Sequence, residues 1–310
     1  MKLPDHKRFD YSAITQRPAF RWPSGDGLAF YIGLNLEHFA FGEGLGGELA
    51  PGGPAPDVLN YAWREYGNRV GVWRLLEVFE ALSLPCSVLV NSRIYDHCPE
   101  VMDAFRSRGD EVVGHGRTNA ERQNTLDEAG EMALISDCTQ AITDHESAAP
   151  AGWLGPWIAE SHHTPDLLKA GGYQYVLDWS HDDQPVWMRT QHGPLLSVPY
   201  PQELNDIPAI MVRRASAEDF ADMIVAQFDE MREQAKQQPL VMGLALHAYI
   251  VGQPFRLRAL KRALRHVIAH RDRVWITTAG EVAAHYAEVV PFPDAHPMST
   301  QVTRACAVLA

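Results

Sequence analysis

The chain has 310 residues, 46% of them hydrophobic and 21% charged, which is enough for one large core or two modest ones. Its formal net charge of -12 argues against nucleic acid or an anionic membrane surface as the main partner, because both call for a basic face. The cysteines Cys86, Cys98, Cys138 and Cys306 form no C-x-x-C pair and read as reduced thiols of a cytosolic protein, with Cys86 in an apolar run as a core residue.

Residues 1–26 read as an irregular arm without an apolar signal core. No apolar run approaches the ~18 residues a span needs. The expectation is a cytoplasmic protein. "GLAFYIGLNLE" (27–37) predicts a buried strand, and the Gly- and Pro-dense stretch 41–57 a long loop. Val72, Leu75, Leu76 and Phe79 give helical spacing over 69–83. A strand follows at 85–91, then a helix over 98–109 stopped by Gly109, then the strand "DEVVGH". Thr125-x-x-Glu128 reads as a capping box opening a helix to about residue 145.

The second half keeps this rhythm. Strands are expected within 171–179 and 195–200. Ser216-x-x-Asp219 opens a helix to about 237, and "LVMGLALHAYI" is an apolar strand ending near His247. A helix over 254–270, a strand over 273–277 and a last helix capped by Thr278-x-x-Glu281 complete the chain. Alternation of this kind predicts a parallel α/β sheet, doubly wound or closed as a barrel. Polar residues gather just after strands: Asn35, Glu37, Asn91, His115, Trp153, Asp178 and His247. In a (β/α) barrel those strand ends share one face, where active sites are built. We therefore expect one barrel domain over 27–290, flanked by the arm and a tail at 291–310.

Glu37, His115 and His247 are the candidate catalytic cluster. Partial burial is expected to raise the pKa of Glu37 and suit it to acid–base work. His115 lies between Gly114 and Gly116, which permit close backbone approach. Trp153 and Trp157 either wall a pocket or belong to the core. Asp182 and Asp183 either bind a small polar ligand or order their own loop. The absence of G-x-S-x-G, a phosphate loop and G-x-G-x-x-G after a strand leaves a serine-hydrolase elbow and nucleotide cofactors unsupported.

In this order, "LNLEHF", "YGNRVGVWRLLEVFE", "DEVVGHG", "GGYQYVLDWSHDDQPVW", "LSVPYPQELND" and "LALHAYIVGQP" resemble the polysaccharide deacetylase superfamily, with its NodB-homology barrel of seven to eight strands. The nearer likeness is to its branch of metal-independent allantoinases and cyclic-imide hydrolases. The resemblance spans roughly residues 20–290. It implies a hydrolase of non-peptide C–N bonds. It places Asn35 where the family has a basic Asp, and Glu37, His115 and Asn119 where the family holds its metal. His247 matches the late histidine that assists the leaving group. Because a neutral amide is a weak zinc ligand, the set implies no resident cofactor, or at most a weakly held divalent ion such as zinc. The implied mechanism has Glu37 as general base, His115 and His247 as oxyanion stabilisers or proton donors, and Asn35, Asn119, Arg117, Asp178, Trp153 and Trp157 around a small-molecule substrate. The resemblance further implies a homo-oligomer. A metal-dependent deacetylase and a non-catalytic binding barrel are the competing readings.

Overall fold

The computed structural model describes residues 5–42 and 46–293, so Cys306, part of the 41–57 loop and most of the 291–310 tail lie outside the described residues. The strands are β1 (Leu28–Leu36), β2 (Ser87–Val90), β3 (Glu111–Gly114), β4 (Gly152–Trp153), β5 (Tyr175–Val176), β6 (Val186–Thr190), β7 (Gly193–Ser197), β8 (Leu240–His247) and β9 (Trp275–Thr277). They form one curled sheet in the order β6-β7-β5-β4-β3-β2-β1-β8, with β9 paired to β1. The first half of β1 pairs with β9 and its second half with β2, while β8 runs beside its whole length.

Every pairing is parallel except β6–β7, an antiparallel hairpin that the simple alternation did not predict. Between the hairpin and β8 the barrel is closed by irregular chain rather than by a ladder. Val241 N–H donates to the Asp183 carbonyl (2.8 Å) and Ala245 N–H to that of Leu204 (3.1 Å).

Strand parity explains where the chemistry sits, because successive side chains point to opposite faces. Leu28, Phe30, Ile32, Leu34 and Leu36 of β1 pack outward against the helices. Ala29 and Tyr31 point into the barrel with Leu89, Val113, Tyr175, Leu196, Tyr200, Val241 and Ala245. Further along the same parity come Asn35 and Glu37 after Tyr31 and Gly33, Asn91 after Leu89, His115 after Val113 and His247 after Ala245. The polar cluster is the top layer of the barrel filling. Gly33 makes room for part of it: a Cβ there would lie 3.1 Å from the ring of Tyr200.

The helices follow their signals with two local corrections. Ser216 and Asp219 form a reciprocal capping box at the start of Ala217–Gln234, and Gly109 ends Pro99–Arg108 at φ 75°. The helix Glu128–Glu146 is capped not by Thr125 but by Asp127, whose side chain accepts from Gly130 N–H; Thr125 closes a preceding single turn. A helix over Val58–Tyr66, capped by Asp57, went unread because the Gly/Pro-rich stretch runs up to its first turn.

Candidate active site

Glu37 stands one residue past β1 and is 6% exposed. Its Oε1 accepts from Asn119 Nδ2 at 2.5 Å and lies 3.6 Å from the Nε2 of both His115 and His247. Its Oε2 is buried without a partner among the described residues, as is His115 Nε2. The three groups line a cavity of about 220 Å³ with Asn35, Asn119, Gly155, Trp157, Ile158, Tyr200, Gln202 and Asn205. Two unpartnered polar atoms in so buried a place are what a ligand or water would satisfy.

Each histidine is aimed by its other nitrogen. His115 Nδ1 donates to the Leu154 carbonyl at 2.7 Å, which leaves Nε2 facing the cavity. His247 Nδ1 meets Asp206 Oδ1 at 2.6 Å, and the second oxygen of Asp206 accepts the backbone N–H of His247 at 2.7 Å. Asp206 therefore fixes both the position and the ring orientation of His247.

Electrostatics correct one expectation. Burial alone does push the Glu37 pKa upward, but the His247 charge and the hydrogen bonds and charge of the two imidazoles outweigh it and bring the carboxyl down to about 2. Burial opposes the His247 charge in turn, yet Asp206 and Glu37 raise its pKa to about 10. At neutral pH the site thus contains a carboxylate against an imidazolium.

Asn119 decides how well the family metal position survives. Its Nδ2 points at Glu37, and its Oδ1 accepts from Asn91 Nδ2 at 3.1 Å. Flipping the amide would set oxygen against carboxylate and NH₂ against NH₂, so the network fixes the orientation. The amide oxygen faces away from the Glu37–His115 pair, and the set does not fit a three-ligand metal centre.

The other named residues divide. Asn35 donates to the Tyr200 hydroxyl (2.9 Å) and the Leu246 carbonyl (3.1 Å), at the cavity wall. Trp157 also lines the cavity. Trp153 does not: it is wholly buried against Tyr173. Asp178 sits behind the wall, accepting from Gly155 N–H at 2.7 Å, with its pKa raised to about 6 by burial. Arg117 turns outward to Glu121 and Asp137. Asp182 orders the chain by pairing with Arg17 of the arm at 2.5 Å. Sequence reasoning missed Tyr200, Gln202, Asn205 and Asp206. Tyr200 continues the inward parity of Leu196 and Val198, but Gln202, Asn205 and Asp206 lie on the irregular chain that closes the barrel, where no strand parity marks an inward side chain.

Comparison with known proteins bears on the fold and the family likeness. No family model matches the chain. A putative polysaccharide deacetylase of Schizosaccharomyces pombe is 25% identical over 248 residues, covering 74% of this chain and 76% of the relative. The crystal structure of a probable polysaccharide deacetylase from Pseudomonas aeruginosa superposes with a TM-score of 0.79 at 27% identity, covering 89% of this chain and 96% of that one. A PuuE allantoinase superposes with a TM-score of 0.78 at 25% identity, covering 92% of this chain and 100% of that one. In sequence and fold the chain is similar to the polysaccharide deacetylase superfamily and to its allantoinase-like branch, as the motifs implied.

Proposed function

We propose that the protein is a hydrolase of non-peptide carbon–nitrogen bonds that opens a small polar substrate, such as a cyclic amide, ureide or N-acyl amine, without a resident metal. The observation that carries this reading is the buried carboxylate with one free oxygen beside two imidazole Nε2 atoms. In this reading a water lies between Glu37 Oε2 and His115 Nε2. It attacks the substrate carbonyl carbon, and His247, held as imidazolium by Asp206, donates to the oxyanion that develops. The proton taken from the water is then delivered to the leaving nitrogen as the C–N bond breaks.

The depressed pKa of Glu37 refines the roles. A general base works best with a pKa near the working pH. A carboxyl at about 2 anchors the water and balances His247 better than it stores a proton. The role of proton acceptor, which the sequence placed on Glu37, is assigned to His115 Nε2 on geometry: that nitrogen faces the cavity without a partner among the described residues, while Nδ1 donates to the Leu154 carbonyl. Asn119 and Asn35 remain as wall amides, and Trp157 as an apolar side. A cavity of about 220 Å³ is smaller than the roughly 300 Å³ at which drug-sized pockets begin, which favours a compact substrate over a polymer chain. Among the described residues no helix is long and apolar enough to cross a membrane.

A metal-dependent deacetylase is the second reading, favoured by the free donors Glu37 Oε2 and His115 Nε2. Turnover of cyclic ureides, imides and N-acyl amines, measured with and without chelator, separates the two. Chelator-resistant opening of a cyclic ureide or imide supports the metal-free site. Chelator-sensitive release of acetate from an N-acetyl substrate overturns it, and tight binding without turnover points to a binding barrel.

A further inference from the structure

Among the described residues, two groups of three His, Asp or Glu side chains bring their ligand atoms within 4.8 Å of one another: His38–Glu65–His97 and Asp229–His266–His270. Neither includes Glu37, His115 or His247. The second group lies beside Arg232, 3.6 Å from Asp229, whose charge competes with a cation. The first is better built. His97 Nε2 lies 2.9 and 3.1 Å from the two oxygens of Glu65, whose side chain is 12% exposed. The ring centroids of His38 and His97 approach to 4.2 Å, and His38 Nδ1 is buried without a partner among the described residues. The nearby Arg93 is engaged by Asp96 at 3.0 Å.

We propose that His38, Glu65 and His97 form a divalent-cation site of the zinc class, outside the catalytic cavity. Two imidazoles and a carboxylate are the ligand types zinc favours, and open positions on the ion would be filled by water. At a metal–nitrogen distance of about 2.1 Å, adjacent ligand atoms lie about 3–3.5 Å apart. The Glu65–His97 edge already has that length, and His38 has only to close the remaining gap.

The three ligands come from three elements: the turn after β1, the helix Val58–Tyr66 and the short helix Ile94–His97. His38 follows Glu37 directly. Its N–H donates to Asn91 Oδ1 and its carbonyl accepts from Asn119 N–H, both at 2.9 Å. A cation there would pin the segment that carries Glu37 and the neighbours that hold Asn119. It would be structural, ordering the rim without touching the substrate.

The test is Zn²⁺ titration of chelator-stripped full-length protein by calorimetry, with Co²⁺ absorption as a second readout. The expected result is one saturable site per chain and cobalt bands of a nitrogen–oxygen set. Glu37→Gln should leave binding intact. His97→Ala and the milder His97→Gln should weaken it by more than about tenfold, the least that even outer-shell losses cost. Circular dichroism of the stripped variants confirms that they are folded. Absence of saturable uptake, or uptake that Glu37→Gln abolishes and the His97 variants retain, overturns the assignment. The outcome is independent of the substrate reading, because binding is measured without turnover.

Discussion

Strand β3 carries a titratable residue at each end, both on the inward parity: Glu111 at the bottom of the barrel and His115 at the top. The two ends treat buried polarity in opposite ways. At the bottom, Glu111 receives the hydroxyls of Tyr175 (2.6 Å) and Ser87 (2.7 Å) and the N–H of Gly280 (3.0 Å), so both oxygens are satisfied within the protein. At the top, Glu37 and His115 each keep one atom without a partner among the described residues. A buried carboxyl whose needs are met internally belongs to the architecture. One left wanting is poised for a ligand. Glu111 is the less deeply buried of the two, yet its oxygens are the ones the protein satisfies; what separates the sites is how completely the surroundings answer each carboxyl.

Exchanging carboxylate for amide at each end should break this comparison if it is wrong. Glu37→Gln is expected to cut kcat by at least about a hundredfold, the scale of a lost electrostatic partner, because the charge that anchors the water and balances His247 is gone, with the circular dichroism spectrum unchanged. Near-normal turnover would remove Glu37 from the site chemistry. Asp206→Asn should come next. It is expected to lower the rate by about tenfold or more and to move the alkaline limb of the rate profile downward from about 10, because His247 loses its largest charge partner. An unmoved limb would mean that Asp206 only packs.

Glu111→Gln should behave in the opposite sense. The expected cost is about 1–3 kcal/mol of stability in denaturant unfolding, from donors left facing an amide that can serve fewer of them, with turnover retained. A loss of activity without a loss of stability would erase the contrast between the two ends.

A smaller effect is expected in stability against pH. Glu37 titrates lower in the folded protein than in the unfolded chain, so its contribution is present above the ordinary carboxylate range and fades as pH falls toward about 2. His247 titrates higher when folded, so its contribution is complete below the ordinary imidazole range and fades as pH rises to about 10. The melting temperature of the wild type should therefore fall more steeply than that of Glu37→Gln between neutral pH and about 10. Parallel curves would show that the two groups do not interact as their distance suggests.

Much of this architecture was legible in the sequence because its signals are local. The apolar run of β1, the Ser216–Asp219 cap and Gly109 each act within a few residues, and strand parity carries Glu37, His115 and His247 to one layer. The β6–β7 hairpin was not legible, because a two-residue reversal between short strands lacks the Asn-Gly or Asp-Gly signature that marks such turns. Asp206 was quoted in a family motif yet assigned no role. Its partner is 41 residues away, and only the closed barrel brings them together. The direction of the Glu37 pKa was misjudged for the same reason: burial can be guessed from one strand, whereas the opposing charge comes from another.

The mouth of the cavity is lined by Trp157 and Ile158, consecutive non-glycine residues with φ of 64° and 53°. Left-handed backbone costs roughly 1–2 kcal/mol per residue, most for a β-branched side chain. The strain is held in place by packing, since Ile158 lies against the inner core cluster. Ile158→Gly would relieve the strain but forfeit that packing and loosen the unfolded chain, so the melting temperature should not rise, while the wall softens and discrimination among substrates weakens. Screens that select for heat tolerance alone would therefore keep this strained corner rather than relax it.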